Sequence, residues 1–345
     1  MSIAIDGIIF SLQRHGGISV YFRELLQFLA ARQQAVALTL EPPLQQTMPI
    51  EASFACERRA RWLERYRSAR VSADASVFHS SYYRLPANRA LPAVVTVHDF
   101  IYERFRRGPA RWVHVVNKHA AIRSAQAVIC ISESTRQDML QCVGEISGQV
   151  VHVIHNGVSP TFRPLPVDPT KSTGAPFALF VGERRGYKNF KLALQALDLL
   201  PEVELHCVGG GAIASEELDG VPAATAARVC HLGYVTDEEL NAHYNNALCL
   251  LYPSRYEGFG IPVVEAMRAG CPVVCIECAA VLEVGGDALV IAKTADPVAL
   301  AEAVGSVMEP ATRAALSQAG LQVSQRYDWA RTHEQTLAVY RQLGA

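Results

Sequence analysis

Short apolar runs alternate with amphipathic stretches along nearly the whole chain. The runs at 3–10, 36–40, 77–79, 93–98, 127–131 and 151–154 are predominantly apolar on both faces, as strands buried in a parallel sheet are. A second series follows at 177–181, 204–208, 229–232, 247–252 and 272–276. Between them, apolar positions recur with helical spacing over 18–31, 112–125, 190–200, 237–247 and 262–269. Strand and helix in regular alternation predict an α/β chain whose parallel sheets are covered by helices.

The alternation breaks once, between Ser159 and Pro176, where Pro160, Pro164, Pro166, Pro169 and Pro176 stand among small polar residues. Proline fixes φ and lacks an amide donor, so this stretch suits neither a helix nor a strand interior. It splits the 345 residues into halves of similar size, as a chain too long for one core should be. The expectation is two doubly wound, Rossmann-like domains, 1–165 and 175–325, facing each other across a cleft, with an amphipathic helix in 326–345. In such folds ligands bind at the carboxyl ends of the strands.

Charge changes this picture only locally. Lys plus Arg number 32 against 33 for Asp plus Glu, a balance that argues against a nucleic-acid binder. Between residues 51 and 125 basic residues dominate, among them Arg58, Arg59, Arg61, Arg65, Arg67, Arg70, Arg104, Arg106, Arg107 and Arg111, with Trp62, Tyr66 and Trp112 interleaved. Two readings fit: a solvated face, or a surface that meets anionic lipid. No apolar segment approaches the ~18 residues of a membrane span, and the start lacks a secretory pattern. The nine cysteines sit in apolar segments, as buried thiols of a reducing compartment do. A cytoplasmic protein is expected, with possible peripheral contact at the cytoplasmic face of an anionic inner membrane.

The most informative segment runs from Tyr252 to Pro272, YPSRYEGFGIPVVEAMRAGCP. A strand ends near Tyr252, and a loop with Gly258 and Gly260 leads to Pro262, a good first-turn residue. Glu265 lies about one turn into the helix, which Gly270 and Pro272 end. The glycines allow close approach of a ligand, and the helix start offers unpaired amides to an anion. Glu257 and Glu265 flank that cradle with carboxylates that accept from vicinal hydroxyls.

Glu257 through Glu265, with the surrounding S-x-Y-E-G-F-G-I-P-x-x-E-A-M, resembles the E-x7-E signature of retaining glycosyltransferases of the GT-B fold, family-four type. The resemblance covers essentially the whole chain. It implies that Glu257 binds hydroxyls of the transferred sugar and that Glu265 holds the nucleotide ribose. Backbone groups of Gly258, Phe259, Gly260 and Ile261 would bind sugar and diphosphate. The segment Val181-Gly-Glu-Arg184-Arg185-Gly-Tyr-Lys188-Asn189 resembles the family's diphosphate-binding motif, with Lys188 and either Arg184 or Arg185, Arg184 favoured, as the cations. The loop His15-Gly16-Gly17 resembles the family's donor-phosphate and acceptor-side loop, and His98 the strand-end histidine that contacts the sugar. Gly209 and Val235 fall where the family meets the nucleotide, and the terminal helix is expected to cross back onto the first domain. The segments 131–136 and 155–158 match family segments too, and read as a helix N-cap and a turn.

Gly209, Gly211 and Ala214 also satisfy a dinucleotide pattern, but Val229–Leu232 lacks the acidic residue that a nicotinamide site wants. Asp-x-Asp does not occur, so no metal site and no cofactor is expected; the nucleotide sugar is a co-substrate. Overall likeness to mannosyltransferases of surface-glycan assembly favours GDP-mannose and a glycan or lipid-linked oligosaccharide acceptor. A UDP-sugar transferase, an epimerase, and a silent nucleotide-sugar or glycan-binding partner stay open.

Overall fold

The computed structural model describes residues 2–13, 16–45, 55–57, 60–166 and 174–344. The chain divides into two compact units, Met1–Gly157 with Asp328–Ala345, and Val158–Tyr327. The first unit holds β1 (Ser2–Asp6), β2 (Ala35–Leu40), β3 (Ala55–Glu57), β4 (Val77–Ser80), β5 (Ala93–Val97), β6 (Ala127–Cys130) and β7 (Val150–Val153). They form one parallel sheet in the order β3-β2-β1-β4-β5-β6-β7. The second unit holds β8 (Phe177–Val181), β9 (Glu204–Val208), β10 (Val229–Gly233), β11 (Cys249–Tyr252), β12 (Val273–Cys275) and β13 (Leu289–Ile291). These are also parallel, in the order β10-β9-β8-β11-β12-β13. Strand order reverses between β1 and β4, and again between β8 and β11, so in each sheet the loops leaving those neighbours diverge and open a crevice.

The apolar run at 3–10 is not one strand. β1 stops at Asp6, whose Oδ1 accepts from the Ile8 amide at 3.2 Å, and Ile9–Leu12 turn into a short helix, α1. Gly7 lies against β2, where a Cβ would stand 2.5 Å from the Thr39 carbonyl. The first unit continues with α2 (Gly17–Ala31), α3 (Ile101–Phe105), α4 (Pro109–Ser124) and α5 (Glu133–Cys142). Ser132 caps α5 as 131–136 predicts, its Oγ accepting from the Thr135 amide at 2.9 Å. In the second unit lie α6 (Phe190–Asp198), α7 (Ala223–Ala226), α8 (Asp237–Asn246), α9 (Ile261–Arg268), α10 (Ala279–Gly285), α11 (Pro297–Ser306) and α12 (Pro310–Ser324). The last helix, α13 (Trp329–Gln342), belongs to the first unit.

The proline-rich break does not divide the units at residue 165. The described part, 159–166, packs on the second unit, because the Arg163 amide donates to Asn241 Oδ1 at 3.0 Å and the Leu165 amide to Asn245 Oδ1 at 2.7 Å. The chain leaves the first unit at Gly157 and returns to it at Asp328. α13 then buries Trp329, Leu337 and Tyr340 in a core with Ile3, Ile5, Phe22 and Leu25. Trp329 stacks on His333 at 5.3 Å.

Backbone meets backbone at the return point. A Cβ on Gly157 would stand 2.2 Å from the Trp329 amide nitrogen and 2.5 Å from its Cα. Gly157→Ala is therefore expected to cost about 1–3 kcal/mol through overpacking. A lowered thermal midpoint checks this, and an unchanged one contradicts it.

Candidate active site

In the second unit the crevice between β8 and β11 is bridged by one ion pair. Lys188 closes a 3-10 turn, Gly186–Lys188, after β8, and Glu257 stands in the loop after β11. Their Nζ and Oε1 atoms are 2.7 Å apart, with side chains 12% and 11% exposed. Nζ also donates to the Tyr252 hydroxyl at 3.1 Å and lies 4.9 Å from the centre of that ring. Burial and the Glu257 charge push the Tyr252 phenol well above its usual range, so it stays neutral. Each charge compensates the other, because an unpaired charge this far from water is costly.

From Glu257 the chain passes through Gly258 and Phe259 to Gly260. Phe259 is buried and edge-on to Tyr327 at 5.6 Å, which anchors the loop. Gly260 has φ +101°, a left-handed conformation that a side chain would strain. That turn lets Ile261 and Pro262 open α9 immediately, with the helix start at the crevice. Glu265 sits half-buried one turn on, its Oε2 accepting from the Tyr244 hydroxyl at 3.1 Å. Burial, and secondarily the Asp237 charge, push its carboxyl up to about 8.

Arg184 and Arg185 part company. The Arg184 side chain is buried, and its guanidinium donates to the carbonyls of Gly209 at 2.8 Å, Gly211 at 2.8 Å and Ala212 at 3.1 Å. Its Nε pairs with Glu217 Oε1 at 3.0 Å. The favoured reading of Arg184 as the phosphate-facing cation is thus at odds with its place, since its donors hold the loop after β9. That loop consists of Gly209, Gly210 and Gly211, all with φ of 75–80°. A Cβ on Gly210 would stand 2.9 Å from Arg184 Nη1 and 3.0 Å from the Gly182 carbonyl. Arg185, by contrast, is exposed. Val235 is half-buried after β10, just before Thr236 caps α8.

In the first unit Gly16 is the N-cap of α2 and Gly17 its first residue, so the helix start lies where the sequence puts it. His15 lies outside the described residues. His98 follows β5 and is buried, its ring edge-on to Tyr21 at 5.4 Å. Burial, and secondarily Lys118, push it down to about 3, so it is neutral, and among the described residues its Nε2 has no partner. This sheet's reversal is also bridged by charge. Arg84, after β4, pairs with Asp6 at the end of β1 at 2.6 Å, and with Glu41 and Glu64 at 3.0 and 2.9 Å.

Among the described residues one group of three metal-ligating side chains lies within 4.8 Å: Glu204, His206 and Cys230. It sits on β9 and β10 and involves none of the candidate site residues. There the His206 ring already meets Glu204 Oε2 at 2.9 Å. Sequence reasoning missed Tyr252, Tyr244 and Glu217. Each is an ordinary residue of a strand or helix whose role comes only from its partner, and no local motif marks it.

The profile described as "Glycosyl transferases group 1" matches residues 163–323, and "Glycosyltransferase Family 4" matches 15–162. The chain is 29% identical over 287 residues to O-antigen chain mannosyltransferase B of Escherichia coli, covering 77% of this chain and 74% of that one. It is 30% identical over 319 residues to alpha-maltose-1-phosphate synthase of Mycobacterium tuberculosis, covering 80% and 81%. Its fold is similar to that of sucrose-phosphate synthase from Thermosynechococcus elongatus, with a TM-score of 0.79, 19% identity and 99% of each chain covered.

The raised Glu265 carboxyl has a consequence for stability. Between its usual value and about 8 the folded protein keeps a proton that the unfolded chain releases. This group therefore makes stability fall as pH rises through that window. Melting curves between about pH 5 and about pH 8 should show a steeper decline for the wild type than for Glu265→Gln. Parallel curves would contradict the assignment.

Proposed function

This chain belongs to the GT-B glycosyltransferases of family-four type, and we propose that it is a retaining, metal-independent hexosyltransferase. It moves a hexose, mannose favoured, from a nucleotide-diphosphate sugar to a glycan or lipid-linked oligosaccharide in surface-polysaccharide synthesis. The observation that carries this reading is the Lys188–Glu257 pair at the strand-order reversal, beside the glycine-opened start of α9. A cation and a carboxylate within one crevice, beside a helix start, suit a ligand with both phosphates and hydroxyls.

In this reading Lys188, exposed Arg185 and the loop amides take the diphosphate, and Arg184 positions the glycine loop beside them. Glu257 and Glu265 accept from sugar and ribose hydroxyls, and His98 offers a neutral ring nitrogen to a sugar hydroxyl. The acceptor oxygen bonds to the anomeric carbon on the face from which the diphosphate departs. The carbon–oxygen bond to phosphate breaks, and the departing oxygen takes the acceptor's proton. Charge grows on the diphosphate as that bond breaks, so preorganised cations lower the barrier.

The likeness to an O-antigen mannosyltransferase favours GDP-mannose. The equal likeness to a maltose-phosphate synthase keeps a glucosyl donor as the second reading. Lys188→Ala should lower kcat about 100- to 1,000-fold with the fold intact, and unchanged turnover would remove the site. In a thermal-shift panel GDP should stabilise the protein more than UDP or ADP. Stabilisation by UDP and not GDP would overturn mannose.

The reading extends to an anionic membrane surface. Trp62 and Trp112 of the first unit are 80% and 65% exposed, beside exposed Leu63, Phe105, Val113 and Val116. Arg67, Arg106 and Arg107 are exposed among them. Pairing of Arg61 with Glu64 and of Arg104 with Asp138 offsets part of the basic excess; Arg58 and Arg59 lie outside the described residues. No helix among the described residues is long and apolar enough to cross a membrane. Sedimentation with phosphatidylglycerol vesicles should show binding that weakens between about 50 and about 500 mM salt. No binding at low salt would remove the membrane contact.

A further inference from the structure

The first unit carries a second concave feature that the donor chemistry does not use. It is lined by Arg65, Tyr66, Tyr82, Tyr83, His114 and Asn117. Tyr82 and Tyr83 stand just past the carboxyl end of β4, one of the two strands at the reversal of this sheet. The Tyr83 phenol is hydrogen-bonded to the His98 backbone. The feature therefore adjoins the strand end that carries His98, on the side of the sheet where doubly wound folds bind ligands.

Its walls are aromatic and held rigidly. The Tyr82 ring lies 5.6 Å from Tyr83 and 5.5 Å from His114, and His114 stacks on Tyr102 at 3.8 Å. Tyr83 has φ +61°, a left-handed conformation unusual for an aromatic residue, which persists only where the surroundings dictate it. The Arg65 guanidinium lies over Tyr66 at 5.0 Å and over Tyr82 at 5.5 Å. Burial, and secondarily Lys118, push His114 down to about 3, so it is a neutral donor and acceptor.

We propose that this cluster is the platform on which a sugar ring of the glycan acceptor lies, with Tyr66 and Tyr82 as stacking faces and Asn117 and Arg65 as hydroxyl partners. The proposal rests on the glycosyltransferase reading and adds the acceptor's contact chemistry to it. A pyranose presents a face of C–H bonds that packs on an aromatic ring and an edge of hydroxyls that needs donors and acceptors. The cluster supplies both. The hollow itself, about 10 Å³, has room for no more than one water, so the ring lies across its rim rather than inside it. Charge disfavours an anion here. Arg65 is the one cation in the lining, while Lys118 beneath is buried and committed to Glu103 at 3.1 Å.

Saturation-transfer NMR on the full chain, with mannotriose and maltotriose as probes, tests this without requiring turnover. At least one trisaccharide should receive saturation on its ring C–H protons. Its affinity should fall about tenfold in Tyr66→Ala and in Tyr82→Ala, and recover in Tyr66→Phe. Tyr66 is exposed, so its truncation keeps the fold, and the thermal midpoint verifies that. Equal binding by the wild type and both alanine variants would overturn the platform, as would binding of neither trisaccharide. Loss of GDP or UDP binding in Tyr66→Ala would overturn it as well, because the rings would then hold a nucleobase. Absence of any nucleotide binding by the wild type would instead count against the donor reading, and leave the trisaccharide result to be judged alone.

Discussion

The reversal of strand order within each sheet is the constraint on which the rest depends. Connections from β1 and β4, and from β8 and β11, run to opposite faces, so the loops between those neighbours cannot close over the strand ends. In both sheets a buried charge pair fills the gap, Asp6 with Arg84 and Lys188 with Glu257. The two differ in what surrounds them. Arg84 meets three carboxylates and is almost wholly buried, so its donors are spent on holding β1, β2 and the 61–70 segment together. Lys188 meets one carboxylate and a neutral phenol, and its side chain keeps some exposure. The first is a fastening, and the second has capacity left for a ligand.

The neighbouring arginines show how the fold assigns roles that residue type does not. A turn of three left-handed glycines would be loose alone, because glycine loses more freedom on ordering than any other residue. The Arg184 guanidinium gathers the carbonyls of that turn, and Glu217 balances its charge. Charge-assisted bonds from a planar fork suit this task, and a lysine would not reproduce them. Arg185 stays exposed.

Much of this was legible in the sequence, for reasons that differ by element. Strands buried on both faces announce themselves as apolar runs, so β5, β6 and β11 fall where predicted. β1 was overextended because Ile8, Ile9 and Phe10 continue the run, and only the approach of Gly7 to Thr39 shows why the chain turns. β3 and β13, three residues each, are too short to carry a period. The glycine loop and its two glutamates were legible as a local pattern, since close approach and helix capping are local demands. The division of labour between Arg184 and Arg185 was not, because Glu217 lies far along the chain and nothing beside the arginines points to it. The Tyr82–Tyr83–His114 cluster was hidden likewise, its members being drawn from two separate segments.

The Lys188–Glu257 contact also bears on which ligands this crevice can accept. A bare phosphate that drew Lys188 away would leave the Glu257 carboxylate unpaired and mostly out of water, at a cost that erodes the gain. A neutral sugar that engaged Glu257 alone would leave the ammonium in the same position. A ligand carrying phosphate oxygens and hydroxyls at the right separation replaces both halves of the pair at once. The broken contact is then repaid by two charge-assisted sets of hydrogen bonds. On the proposed function, selectivity for a sugar joined to a diphosphate, over either part alone, follows from the pair that bridges the crevice. On that proposal Glu257 needs no nucleophilic role, because its charge balances Lys188 before binding and orients hydroxyls after it.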